Sequence, residues 1–95
     1  MTGTFKMTVQ EVTDKINNIL KNNKEAKVIK IRLPKDGGAI LSMDLSWGIF
    51  LDELIEISET FGDDNMLVSS DDDFNGISLY MRPADSFWKV EGGEQ

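Results

Sequence analysis

The chain has 95 residues, of which 40% are hydrophobic, and this content supports one small domain with a single core. It has no cysteine and no histidine, which excludes disulfides, the usual zinc ligand sets and the common nucleophile–base pairs. The net charge of −7 is divided unevenly: residues 1–43 carry eight basic and four acidic side chains (+4), and residues 44–95 carry two and thirteen (−11).

The first predicted helix covers residues 8–23, because Thr8 and Glu11 have the spacing of a capping box and apolar residues follow at helical intervals. After this helix, apolar and basic residues alternate, which predicts a half-buried strand. Its inward-facing residues are predicted to be Ile29, Ile31 and Leu33. A turn near Asp36-Gly37 then leads into a returning strand.

The second predicted helix covers residues 46–61, with Ser46 as its N-terminal cap and Gly62 as its C-terminal cap. The number of apolar residues in it predicts that this helix is the more buried of the two. Its core stripe is predicted to contain Trp47, Phe50, Leu51, Leu54, Ile55, Ile57 and Phe61. A turn near Asn75-Gly76 joins two further strands, because both residues tolerate positive φ.

These elements predict an α+β fold of the order αββαββ, with two helices packed on an antiparallel sheet. The chain is interpreted as one domain, 1–95, built from two similar αββ units at about 8–45 and 46–83. Residues 3–7 are a candidate edge strand, and residues 89–95 are predicted to form a flexible tail.

The segment 71–76 places Asp71, Asp73 and Asn75 at the first, third and fifth positions of a calcium loop. The twelfth position, which requires a bidentate carboxylate, is Arg82. The sequence therefore predicts an acidic turn, with no metal and no cofactor. Catalysis is not predicted either, because the remaining carboxylates are placed on an exposed helix face without a nucleophile–base pair.

Acidic residues are the main candidates for partner binding, since no basic residue lies between Lys35 and Arg82. Four of them follow a 4-3-4 spacing that places them on one side of the second helix. The acidic candidates are Asp52, Glu56, Glu59, Asp63, Asp64, Asp71, Asp72 and Asp73. The alternative interpretation is an ordinary solvated face that keeps the protein soluble.

Two adjacent aromatic residues, Phe87 and Trp88, follow the last predicted strand. In one interpretation both close the end of the core. In the other, one residue caps the core and the other is an exposed interface anchor, which makes Trp88 a further candidate for partner binding.

The sequence thus predicts a small acidic binding protein without enzymatic activity. Its expected role is that of an inhibitor, comparable to a phage decoy or immunity protein, that mimics nucleic acid and engages a nuclease or another protein with a basic surface. Direct binding of nucleic acid is not expected. One alternative is a nucleic-acid-binding domain that uses the basic half of the chain, with Lys30 and Arg32 on the outer face of the first hairpin. A structural or assembly subunit is the other alternative.

The cellular location of the protein is predicted from features that the sequence lacks. The N-terminal residues lack the pattern of a signal peptide, and the longest apolar run is only Ile49–Leu51. Together with the absence of cysteine, these features predict a cytoplasmic protein that does not enter a membrane.

Overall fold

The computed structural model describes residues 3–35, 37–71, 73 and 75–90. Within these residues the chain forms two helices, a four-stranded antiparallel sheet and a two-stranded sheet, which confirms the predicted α+β fold. The elements in chain order are β1 (Gly3–Phe5), α1 (Val9–Ile19), β2 (Val28–Arg32), β3 (Leu41–Ser46), α2 (Leu51–Phe61), β4 (Leu67–Asp71), β5 (Gly76–Met81) and β6 (Trp88–Val90). One turn of 3-10 helix, Asp85–Phe87, precedes β6.

The core lies on one face of the larger sheet, whose strand order is β2-β3-β5-β4. Leu41, Met43 and Leu45 of β3 are fully buried and pair with three buried residues of β5. Because side chains alternate along a strand, these residues share one face. Both helices pack on that face, since the same core cluster contains Val12, Ile16, Ile57 and Phe61.

The two ends of the described chain pair with each other. β1 does not extend the larger sheet, as an edge strand would, but pairs antiparallel with β6, with Phe5 opposite Trp88. Lys89 and Val90 belong to β6, so the prediction of a tail beginning at residue 89 is wrong at its start. Residues 91–95 lie outside the described residues.

Both predicted hairpin turns are present. The amide of Gly38 donates to the carbonyl of Lys35 (2.6 Å), and Gly37 has the φ of +80° that a glycine accepts without strain. Asp36 itself lies outside the described residues. In the second hairpin Asn75 has a φ of 60°, whereas Gly76 begins β5 and pairs with Asp71. Gly76 is therefore a strand residue, and Asn75 alone of the predicted pair has the positive φ of a turn.

The first hairpin contains a bulge that the sequence pattern did not predict. Val28 pairs with Leu45, and the next pair joins Lys30 to Asp44, so Ile29 is an extra residue in β2. Ile29 is consequently 46% exposed, and its predicted position in the core is wrong. Ile31 is buried, as the alternation predicted.

Helix α1 begins where the sequence predicted. The Thr8 hydroxyl accepts from the amide of Glu11 (3.1 Å), and the Glu11 carboxylate accepts from the amide of Thr8 (2.8 Å). The helix ends at Ile19, earlier than the predicted residue 23, and Leu20 caps its C-terminus. The prediction placed Asn23 in the helix. It lies instead in the turn that follows, where it is buried with a relative exposure of 8%.

Helix α2 begins four residues later than predicted, because its N-terminal cap residue is Phe50 instead of Ser46. Ser46 is the last residue of β3, and its hydroxyl accepts from the amide of Lys27 (2.9 Å). Gly48 follows with a φ of +102°, a conformation that only glycine adopts easily. A Cβ at Gly48 would lie 2.8 Å from the Cβ of Glu25, so the segment passes too close to the first unit for any larger residue.

The side chain of Asn23 holds this segment in place. Its amide nitrogen donates to the carbonyl of Gly48 (2.9 Å) and to the carboxylate of Glu53 (2.8 Å). Its oxygen accepts from the amides of Glu25 (2.9 Å) and Ala26 (3.2 Å). The same Glu53 oxygen accepts from the amide of Phe50 (2.8 Å), which is the N-terminal cap residue of α2. One buried side chain therefore joins the turn after α1 to the first turn of α2.

The late start leaves much of the predicted core stripe outside the core. Ile57 and Phe61 are fully buried, and Leu54 is partly buried. Four other members of the stripe are exposed: Trp47 (46%), Phe50 (62%), Leu51 (69%) and Ile55 (48%). Helix α2 is nevertheless the more buried helix, as predicted, since six of its eleven residues are buried or half-buried against four of eleven in α1. What the prediction missed is that one apolar face of α2 has no covering element among the described residues.

We expect Ile57→Ala to lower the free energy of unfolding by about 2–4 kcal/mol, because it leaves a cavity in the core. Ile55→Ala makes the same chemical change two residues away, at a side chain that is 48% exposed. It should change stability by about 0.5 kcal/mol or less. Urea denaturation of both variants measures the difference, and equal losses would contradict the observed orientation of α2.

Asn23→Ala should lower the free energy of unfolding by about 2–3 kcal/mol, because it removes four hydrogen bonds and leaves buried amides without their acceptor. Asn22→Ala is the matched control, since Asn22 is the exposed neighbour of the same residue type. Thermal and urea unfolding provide the measurement. Similar stability of the two variants would show that Asn23 does not hold the two units together.

Candidate protein-binding surface

Helix α2 presents a row of carboxylates to solvent. Asp52, Glu56 and Glu59 are all exposed, and their spacing of four and three residues places them on one side of the helix. Neighbours in this row are therefore about 5–6 Å apart between Cβ atoms. We call these three residues the acidic ridge. They form the part of the predicted acidic surface that the structure brings together.

Asp63 does not extend the ridge, although the spacing predicted it. Its two carboxylate oxygens accept from the amides of Asn65 (2.8 Å) and Arg82 (2.6 Å). Asp63 thereby joins the loop after α2 to the segment after β5. Its charge is already engaged by backbone donors, which gives it a structural role.

The remaining acidic candidates that the structure describes lie around the second hairpin. Asp64 is exposed in the loop before β4. Asp71 is the last residue of β4, and Asp73 is exposed in the connection to β5. Asp72 lies outside the described residues.

An apolar groove runs between α2 and β4, with a volume of about 200 Å³. Three of its residues are substantially exposed: Leu51 (69%), Ile55 (48%) and Val68 (44%). The residues that line the apolar groove are Leu51, Leu54, Ile55, Ser58, Asp64, Met66 and Val68. The apolar helix residues of this groove, Leu51, Leu54 and Ile55, were predicted to lie in the core.

The groove and the acidic ridge are neighbours on the same helix. At 100° per residue, Ile57 and Phe61 mark the core side of α2, and Leu51 and Ile55 occupy the next sector. The ridge occupies the sector beyond them. The helix therefore presents, in order around its axis, a buried face, an exposed apolar face and a negatively charged face. Gly48 and the acidic first turn at Asp52 and Glu53 are sequence signals that could have shown the later helix start, but they do not show which face of the helix the sheet covers.

The aromatic pair at the end of the chain packs away from solvent. Phe87 lies 5.3 Å from Phe61 and 6.3 Å from Phe5 between ring centroids. Trp88 meets Phe5 edge to face at 5.8 Å, and both members of the pair are half-buried. This arrangement favours the interpretation in which both residues close the end of the core. Trp47 is the more exposed indole, and its nitrogen donates to the side-chain oxygen of Asn75 (3.0 Å).

The basic half of the chain is partly neutralised on the outer face of the sheet. Arg32 donates two hydrogen bonds to Asp44, at 2.8 and 3.0 Å, and the Ser78 hydroxyl donates a third at 2.9 Å. The hydrogen bond from Arg32 is the largest cause of the lowered pKa of Asp44, and it outweighs burial, which acts in the opposite direction. Arg32 is therefore committed to an ion pair, which weakens the alternative in which it contacts phosphate.

A second open depression of about 350 Å³ lies at the end of the sheet, bordered by Tyr80 and Arg82. The carboxylate that lines this depression is that of Asp63, which already accepts hydrogen bonds from two backbone amides. Across residues 3–35, 37–71, 73 and 75–90, no three acidic side chains converge closely enough to hold a metal ion. No helix in that part of the chain is long and apolar enough to cross a membrane.

Comparison with known proteins adds no relative. No family model matches the chain, and neither the search of curated proteins nor that of solved structures finds a match. The surface formed by the groove and the ridge is therefore interpreted from its own geometry.

Asp44→Asn should lower the free energy of unfolding at pH 7 by about 1–2 kcal/mol, because Arg32 loses its counter-charge but remains 41% exposed and can hydrate. Since folding lowers the pKa of Asp44, the carboxylate stabilises the protein above its unfolded pKa of about 3.9 and ceases to do so as the pH falls through the folded value. The difference between the variant and the wild type should therefore shrink in acid. Urea denaturation at pH 7 and at about pH 3 checks this. A difference of the same size at both pH values would contradict a stabilising role of the Asp44 carboxylate.

Proposed function

We propose that this protein is a non-enzymatic binding protein that engages a partner with a basic surface through the apolar groove and the acidic ridge. The observation that supports it is the position of Leu51 and Ile55, which are exposed directly beside the ridge on α2. Scattered exposed apolar residues are ordinary, but a continuous apolar surface with a charged border is typical of interaction sites.

The two parts of the surface supply different contributions to binding. Burial of the exposed portions of Leu51 and Ile55 would contribute about 2–3 kcal/mol in total. The ridge would contribute mainly to the rate of association, because complementary charges guide two proteins together. Like charges at helical spacing cost some helix stability, so a partner that neutralises them also relieves that repulsion.

The proposed partner is a nucleic-acid-handling protein such as a nuclease, and the proposed effect is inhibition. Its phosphate-binding surface would accept the ridge, whose carboxylates present negative charges along one line as a nucleic-acid backbone does. The absence of any basic residue between Lys35 and Arg82 supports this, since nothing in that part of the sequence opposes such a partner.

Reversing two charges of the ridge, Glu56→Lys with Glu59→Lys, should slow association with the partner about tenfold or more and flatten its dependence on salt. The control pair, Asp14→Lys with Glu25→Lys, changes the net charge equally at exposed positions outside α2. Capture from native cell extract at about 0.05 M and about 0.5 M salt identifies the partner, and interferometry with the purified partner then measures both pairs.

Duplex DNA should compete with this protein for the captured partner if the ridge occupies a phosphate-binding surface. Equal association rates for the ridge pair and the control pair would show that net charge, and not the ridge, attracts the partner. Partner binding that DNA leaves unaffected would contradict mimicry of nucleic acid while leaving the ridge itself as the binding surface.

A further inference from the structure

The two edge strands of the larger sheet, β2 and β4, differ in how well they are protected against pairing with a further strand. At the β2 edge, the bulge at Ile29 and the charges of Lys30 and Arg32 interrupt a regular row of backbone groups. The β4 edge has no bulge, because its pairing with β5 is regular from Leu67 to Asp71, and its charged residue, Asp71, stands at the end of the strand. In the described part of the chain, β4 pairs with no other strand. An unprotected edge is a template for a further strand.

The β4 edge is continuous with the apolar groove. Val68 pairs with Leu79, a fully buried core residue, so Val68 lies on the face of the sheet that the helices cover. It nevertheless remains 44% exposed and lines the groove with Leu51 and Ile55. A strand added beside β4 would direct every second side chain toward this groove.

The negative charge around the groove distinguishes between two possible occupants of this edge, a second copy of the chain and a basic segment of another protein. A second copy of the chain would bring together two surfaces from halves that each carry −11. A segment rich in Lys or Arg would instead meet the acidic ridge along the groove and Asp64 at its border. Long basic side chains can cover apolar surface with their stems and still reach carboxylates with their charged ends.

We infer that β4 accepts an extended segment of a basic partner as an additional strand. Apolar side chains at alternate positions of that segment enter the groove, and basic side chains at its two ends, which lie on the same face of the added strand, reach the ridge. The inference rests on the proposed function and specifies how the partner is recognised. Main-chain hydrogen bonds to β4 provide affinity in this mode, and the groove selects the side chains.

The probe is a synthetic peptide of about nine residues with alternating Val and Lys in its centre and Arg at both ends. We expect amide chemical-shift changes in β4 and at Leu51 and Ile55, together with slowed hydrogen exchange of alternate β4 amides. A peptide of the same composition, with Val at helical spacing, should bind at least tenfold more weakly. Equal binding of the two peptides would overturn the inference.

Backbone methylation tests strand pairing directly. Methyl groups on one alternate set of peptide nitrogens remove the donors that face β4, and methyl groups on the other set leave those donors intact. We expect one methylated peptide to lose binding about tenfold or more and the other to retain it. Two peptides that both bind, or both fail, would overturn the inference.

A matched pair of variants locates the site on the groove. Ile55→Lys places a positive charge in the groove and should weaken peptide binding at least tenfold. Val9→Lys makes the same change of charge on α1, at a residue of nearly equal exposure (46% against 48%), and should leave binding unchanged. Equal effects of the two variants would contradict docking in the groove.

Failure of the strand inference can be distinguished from failure of the proposed function. If the captured partner depends on Glu56 and Glu59 but leaves the exchange of β4 amides unchanged, the ridge binds the partner without an added strand. If neither the partner nor the peptide depends on the ridge, both proposals are wrong.

Discussion

The buried side chain of Asn23 is the constraint on which the arrangement of this protein depends. It makes four hydrogen bonds, two within the turn after α1 and two to the segment that leads into α2, 25 to 30 residues further along the chain. A buried amide that lacked these partners would destabilise the fold, so the two segments are held together. The extended path through Gly48 and the start of α2 at Leu51 follow from this contact.

The start of α2 determines which apolar residues are covered. The helix lies over the sheet with Ile57 and Phe61 inward, and Leu51 and Ile55 consequently lie outside the core, above the edge strand β4. A chain of this size has few elements with which to cover such a face. The groove therefore follows from the orientation of α2 over the sheet.

The unevenly distributed charges of the sequence have two different roles in the folded protein, one in an ion pair within the sheet and one on the surface of α2. Where the basic and acidic halves meet in the sheet, Arg32 and Asp44 form an ion pair that stabilises the pairing of β2 with β3. On α2, the acidic residues of the ridge remain exposed to solvent. Part of the excess negative charge thus lies beside the groove, where it bears on the choice of partner.

The sequence by itself determined the features that depend on a few neighbouring residues. The capping box of Thr8 and Glu11, the turn at Gly37 and the positive φ of Asn75 were all predicted, and so were the order αββαββ and the α+β class. Part of the candidate surface was predictable in the same way, because helical spacing alone aligns Asp52, Glu56 and Glu59.

Only the tertiary structure decided the start of α2, the hydrogen bonding of Asp63 and the exposure of Ile29, because each depends on contacts between residues that are distant in sequence. The start of α2 depends on Asn23, the engagement of Asp63 depends on the amide of Arg82 nineteen residues away, and the exposure of Ile29 depends on its register against β3. Hydrophobic periodicity shows that a helix has an apolar face, but it does not show how wide a part of that face the sheet covers. The groove lies in the uncovered part, and no local signal could place it there.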